Sequence, residues 1–148
     1  VVTSCQLPIV EEAIGRAMRH GAKRALKLAV SAPFHTSLMK PAARKLVKDL
    51  DEVVFKKPKF KILHNCNCKT EDDPKVIKAL MIEQIYSPVL WSQSIRSMEA
   101  LGVTRIIECG SGRVLTGLTK RINRYYELYS TDTLLNAEET INKIGKNS

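Results

Sequence analysis

Aromatic side chains are scarce in this sequence of 148 residues: one Trp, four Tyr and three Phe make up 5% of it. Only Phe60 falls within a basic stretch (56–61), so the repeated stacking platforms of a nucleic-acid surface are missing. No helix-turn-helix, zinc-finger or RNA-binding signature takes their place. No apolar run approaches the roughly 20 residues that cross a bilayer, and the N-terminal residues lack the charged and apolar segments of a signal peptide. Neither a nucleic acid nor a membrane is therefore an expected partner. Cysteine is limited to Cys5, Cys66, Cys68 and Cys109, with one C-x-C and no wider pair, and reduced thiols in a cytoplasm are the expected state. His64, Cys66 and Cys68 have neither the spacing nor the fourth ligand of a structural zinc site, so no metal is expected. A Gly-x-Ser-x-Gly nucleophile elbow is also absent, and no other nucleophile has an evident base beside it in sequence.

What is present is an ordinary globular balance, 44% hydrophobic and 26% charged, which suits one domain or part of a larger one. The formal charge is +9, from 24 Lys and Arg against 15 Asp and Glu. The basic residues cluster at 16–27, 40–48, 56–61 and 113–124. A cationic excess of this kind attracts polyanions or acidic proteins, or else forms a lysine-rich solvated surface; charge alone leaves both open.

Hydrophobic periodicity predicts helices alternating with strands. A helix is expected over 8–20, with Pro8 in its first turn and Gly21 as its stop, then a strand on Leu26, Leu28 and Val30. Thr36 or Ser37 can cap a helix carrying Leu38 to Leu50, and Phe60, Ile62 and His64 suggest a short strand ending in an Asn65-Cys66-Asn67-Cys68 turn. Asp73-Pro74 opens another helix, Ser87-Pro88 breaks the pattern, and a helix over 91–101 stops at Gly102. A strand over 103–109, a helix from Val114 to Ile122, a strand over 126–130 and a short helix over 138–144 complete the rhythm of a parallel α/β sheet.

One stretch stands apart: Ser31-Ala32-Pro33-Phe34-His35-Thr36-Ser37-Leu38-Met39-Lys40-Pro41. It puts His35 in a turn just before a helix start, where an imidazole can exchange protons with a substrate or nucleophile. His20 and His64 read as structural, and Trp91 as a packed residue. Gly110-Ser111-Gly112 before a basic helix suits either phosphate binding at the helix N-terminus or an ordinary strand-to-helix turn, and the turn is favoured because bare Gly-x-Gly is common.

Five segments in order resemble the C-terminal half of the malonyl-CoA:acyl carrier protein transacylases. They are Gly21-Ala22-Lys23-Arg24-Ala25-Leu26, Val30-Ser31-Ala32-Pro33-Phe34-His35, Leu38-Met39-Lys40-Pro41-Ala42-Ala43, Tyr86-Ser87-Pro88-Val89-Leu90-Trp91 and the run from Gly110 to Arg121. The resemblance implies that His35 is the general base and acid of acyl transfer, oriented by the backbone carbonyl of Leu90, where many members carry glutamine. Phe34 then stands where phenylalanine accompanies malonyl preference. No cofactor is implied beyond the coenzyme A thioester, which is the substrate. The resemblance implies an α/β fold: residues 1–30 as the end of a ferredoxin-like small subdomain, and 31–148 as the C-terminal part of an α/β-hydrolase-like large subdomain. The nucleophilic serine, the arginine for the malonyl carboxylate and a Gly-Gln-Gly loop would lie in an N-terminal half. The expected partners are therefore malonyl-CoA, acyl carrier protein and that half, and this chain alone is expected to be inactive. A noncatalytic basic module that binds an acidic partner is the alternative.

Overall fold

The computed structural model describes residues 4–145, which fall into two units that meet in sequence at Val89 and Leu90. In the first unit, helix α1 (Leu7–Arg19) carries Pro8 in its first turn, where its missing N–H has no intrahelical partner to lose. Gly21 ends it at φ 86°, donating to the Met18 carbonyl at 3.2 Å while Ala22 N–H reaches Ala17 at 3.0 Å. This is a Schellman closure, and the positive φ is why glycine stands there. The strand expected on Leu26, Leu28 and Val30 does not form. No ladder reaches these residues, Val30 N–H turns back to the Leu28 carbonyl at 2.9 Å, and the three side chains are 61%, 54% and 62% exposed. Alternation marks a chain suited to a sheet, but a strand exists only where a neighbour takes its hydrogen bonds.

A 3-10 turn at Ser37–Met39 leads into α2 (Lys40–Asp51), with Pro41 in the first turn. Helix α2 packs on α3 (Pro74–Glu83), and the buried apolar residues of this pair are Ala43, Leu50, Ile77 and Leu80. Asp73 caps α3 by accepting the Lys75 N–H at 2.8 Å, as the Asp-Pro start predicts. Between the helices lies a hairpin of β1 (Ile62–Leu63) and β2 (Thr70–Glu71), antiparallel, with Ile62 opposite Glu71. Its turn is closed by His64 N–H to Lys69 O (3.0 Å) and Cys68 N–H to His64 O (2.9 Å). Phe60, expected in the strand, lies outside the ladder and is 75% exposed.

The second unit opens with α4 (Trp91–Ala100), which is ended by Gly102 at φ 78°. Strands β3 (Arg105–Glu108) and β4 (Glu127–Ser130) pair in parallel, with Ile106 opposite Leu128, and α5 (Val114–Ile122) connects them. This βαβ unit is the α/β alternation read from the sequence. The core holds Ile95, which has no exposed surface, and Tyr126, whose hydroxyl donates to the Ile95 carbonyl at 3.0 Å. Helix α6 (Leu134–Gly145) starts four residues earlier than its apolar pattern implies and packs on β4, where the Thr140 hydroxyl donates to Ser130 O at 3.1 Å. Among the described residues no helix is long and apolar enough to cross a membrane.

Glu108, the last residue of β3, folds over the start of α5. Its carboxylate accepts Leu115 N–H at 3.0 Å, Thr116 N–H at 2.7 Å and the Thr116 hydroxyl at 2.7 Å. The Thr116 hydroxyl leads these contacts in holding the Glu108 carboxyl below the usual carboxylate range. A group whose folded-state pKa is depressed stabilises the fold above its unfolded value, about 4.3 for Glu, and loses that contribution as pH falls through the folded value. Denaturant midpoints of the protein and its Glu108→Gln variant are therefore expected to differ at neutral pH and to converge as pH falls below about 4. A gap that stays constant with pH would show that the charge of Glu108 is not what caps α5.

Candidate active site

His35 is set in a turn with φ 59°, a left-handed conformation that costs a residue with a Cβ about 1–2 kcal/mol. Such strain persists only where surrounding contacts over-determine it. Three are in place here. The His35 N–H donates to the Ile85 carbonyl at 3.2 Å, ring Nδ1 lies 2.8 Å from the Gln84 carbonyl oxygen, and the Thr36 hydroxyl donates to Pro33 O at 2.8 Å across the turn. Both carbonyls lie in the turn just past α3, Gln84 being its C-cap, where a helix end leaves acceptors without intrahelical donors. Lys40, at the start of α2, places its Nζ 5.6 Å from the centre of the Tyr86 ring just beyond them.

A carbonyl only accepts, so in the neutral imidazole Nδ1 carries the hydrogen and Nε2 keeps the lone pair. The ring is exposed, leaving Nε2 open to take a proton from an incoming group. His35 and Phe34, the latter 48% exposed, line one side of an open groove of about 1160 Å³ in the first unit. Leu26, Leu28, Val30 and Leu38 make the groove largely apolar, while Arg24 and Lys27 supply positive charge.

The carbonyl on Nδ1 is Gln84's, which corrects the expectation that Leu90 fills that place. Leu90 stands at the N-cap of α4 in the second unit, and its carbonyl accepts the Ser94 N–H at 2.9 Å. The physical reason lies in α3: the chain leaves helical geometry ahead of Pro88, so the carbonyls of residues 84 and 85 are available to an outside donor. Gln84 carries no side-chain signal for this task. The only hint in the sequence is its place at a helix end before Ser87-Pro88.

Other candidates resolve into structure. The phosphate reading of Gly110-Ser111-Gly112 is displaced, because Glu108 already satisfies the N-terminus of α5 and a phosphate there would meet a carboxylate. His64 is buried in the hairpin, and its Nε2 has no hydrogen-bond partner among the described residues. Cys66 has its thiol pushed up, chiefly by burial and further by the charge of Glu83, which keeps it protonated and a poor metal ligand. Among the described residues no group of three or more His, Cys, Asp or Glu is arranged to hold a metal ion. His20 Nδ1 lies 2.9 Å from the Arg16 carbonyl at the end of α1, as a structural histidine would.

No family model matches the chain. Individual proteins do. Over 122 residues it is 43% identical to the malonyl CoA-acyl carrier protein transacylase of Salmonella typhimurium, a match that takes in 82% of this chain and 40% of that protein. With the Staphylococcus aureus transacylase of the same name it shares 39% identity over 134 residues, 90% of this chain and 44% of the relative. The structure superposes on an acyl-carrier-protein S-malonyltransferase from Burkholderia pseudomallei with a TM-score of 0.84 at 41% identity, covering 90% of this chain and 43% of that one. It also superposes, with a TM-score of 0.87 at 37% identity, on a malonyl-transacylase solved in complex with a type II polyketide acyl-carrier protein, covering 93% of this chain and 44% of that one. The class these neighbours define is that of transacylases with a mixed α/β fold. By sequence and by structure the chain is similar to a segment of the malonyl CoA-acyl carrier protein transacylases, spanning about 40% of the length of the curated relatives it matches.

Glycine pays no Cβ penalty at φ 59°, so His35→Gly is expected to be more stable than His35→Ala by about 1 kcal/mol in urea unfolding. An Ala variant as stable as the Gly variant would mean that the turn does not hold residue 35 in the left-handed region.

Proposed function

We propose that this chain supplies the acid/base part of a malonyl-CoA:acyl carrier protein transacylase. The observation that carries the reading is the 2.8 Å approach of His35 Nδ1 to the Gln84 carbonyl, which leaves Nε2 as the proton acceptor. The nucleophile is a serine outside this sequence, which has no Gly-x-Ser-x-Gly elbow. In acylation His35 Nε2 takes the serine hydroxyl proton as the oxygen attacks the malonyl thioester carbonyl. The imidazolium then returns that proton to the departing coenzyme A thiolate, leaving a malonyl-serine ester. In the second half the carrier protein's phosphopantetheine thiol gives its proton to Nε2 and attacks the ester. The same proton goes back to the serine oxygen as malonyl leaves on the new thioester.

The remaining residues fit this chemistry. Phe34 shares the groove with His35, which supports reading it as a residue that contacts the acyl group. The charge of +9 suits both the phosphates of coenzyme A and an acidic carrier protein. No cofactor enters, since the thioester brings its own activation. Residues up to 30 are read as the end of a ferredoxin-like small subdomain and the rest as the C-terminal part of an α/β-hydrolase-like one. Helix α1 buries none of its residues and Leu26, Leu28 and Val30 stay exposed, which suits an N-terminal half that covers them and carries the serine. A cytoplasmic, reduced setting agrees with four free thiols.

In protein that contains the serine-bearing half, His35→Ala is expected to lower malonyl transfer to the carrier protein about 10²–10⁴-fold. His20→Ala, an exposed histidine outside the groove, is expected to leave it within about twofold, since it takes no part in proton transfer. Equal effects of the two changes, read in a radiolabelled malonyl transfer assay, would leave only a noncatalytic binding role.

A further inference from the structure

The Thr36 hydroxyl is used in an unexpected direction. Thr36 is the N-cap residue of the 3-10 turn that opens α2, with extended geometry (φ −129°, ψ 165°). A threonine in that place ordinarily accepts a hydrogen bond from an N–H of the first turn. Here it makes no side-chain cap bond, and Met39 N–H goes instead to the Thr36 backbone carbonyl at 2.9 Å. The hydroxyl turns backward and donates to the Pro33 carbonyl at 2.8 Å. Phe34 and His35 lie between these two residues, and His35 holds the strained φ of 59°.

We propose that Thr36 is a positioning residue for His35, and that its hydroxyl latches the turn that delivers ring Nδ1 to the Gln84 carbonyl. The chain from cause to effect is short. The latch to Pro33 closes the loop over residues 33–36 and opposes the relaxation of His35 to negative φ. With His35 held left-handed, its N–H reaches Ile85 O and its Nδ1 reaches Gln84 O. The first bond fixes the backbone, and the second selects the Nδ1–H tautomer and so leaves the lone pair on Nε2. Without the latch the residue gains a cheaper backbone conformation, the ring loses its acceptor, and Nε2 is no longer reserved for an incoming proton. The idea rests on the reading of His35 as the proton-transfer residue for its importance, but not for its test.

The test is nitrogen-15 NMR of the full chain, selectively labelled at histidine and recorded above the ordinary histidine pKa, about pH 8, where imidazoles are neutral. In Thr36→Val, which keeps the shape and removes the donor, the ratio of Nδ1–H to Nε2–H tautomer at His35 is expected to fall on the order of fivefold, the worth of one net hydrogen bond. His20 and His64 serve as internal references, and their ratios are expected to stay fixed. Thr36→Ser retains the hydroxyl and is expected to keep the His35 ratio of the unaltered protein. Two results would overturn the proposal. One is a His35 ratio unchanged in Thr36→Val while the amides of Ser37 to Met39 shift, which would make Thr36 only a helix-start residue. The other is a ratio in Thr36→Ser as low as that expected for Thr36→Val, which would assign the effect to the methyl group; this arm stands even if the valine variant does not fold.

Discussion

Two hydrogen bonds between His35 and the turn that follows α3 organise the candidate site. One fixes the backbone, N–H to Ile85 O, and the other fixes the ring, Nδ1 to Gln84 O. Both use carbonyls that a terminating helix cannot satisfy internally, so the anchor arises from helix geometry and needs no dedicated side chain. The position of that helix end depends in turn on the packing of α2 on α3 through Ala43, Leu50, Ile77 and Leu80, and on the Lys78–Asp51 ion pair at 2.7 Å. Most of that support is apolar burial, since a pair with one exposed partner contributes about 1 kcal/mol or less. Core packing, helix end, strained turn and ring tautomer thus form one sequence of causes.

A carbonyl in the place where many hydrolases use a carboxylate changes the electrostatics of the site. It orients the imidazole by direction and adds no full negative charge beside it. Arg24 and Lys27 line the same groove, and Lys27 Nζ lies 4.0 Å from the Glu11 carboxylate.

Much of the fold was legible in the sequence, and the failures have a common cause. Helices announced themselves through local chemistry: Asp73-Pro74 at the start of α3, Gly21 and Gly102 at positive φ after α1 and α4. The parallel pair β3 and β4 was visible as apolar runs on either side of a helical stripe. What depended on a distant partner was not visible. Leu26, Leu28 and Val30 alternate as a strand does, yet no neighbouring strand takes their hydrogen bonds. Thr70 and Glu71 show no apolar pattern but pair with Leu63 and Ile62, because the Asn65–Cys68 turn carries them there. At the site, His35 was evident from its place in a turn before a helix. Gln84 was not, because a backbone acceptor leaves no trace in the choice of residue. Glu108 was missed for a similar reason: its capping of α5 joins a strand end to a helix start across the glycine turn.

The most direct measurement is denaturing intact-mass analysis of the purified protein before and after exposure to malonyl-CoA, with and without a polypeptide carrying the serine elbow. If His35 acts as the base for a serine supplied from elsewhere, this 148-residue chain stays unmodified at 16.6 kDa in both cases. The second polypeptide then gains one malonyl group, and it does so only when His35 is intact. A stable malonyl ester on this chain alone, or acylation of the partner at an undiminished rate in His35→Ala, would contradict that division of labour.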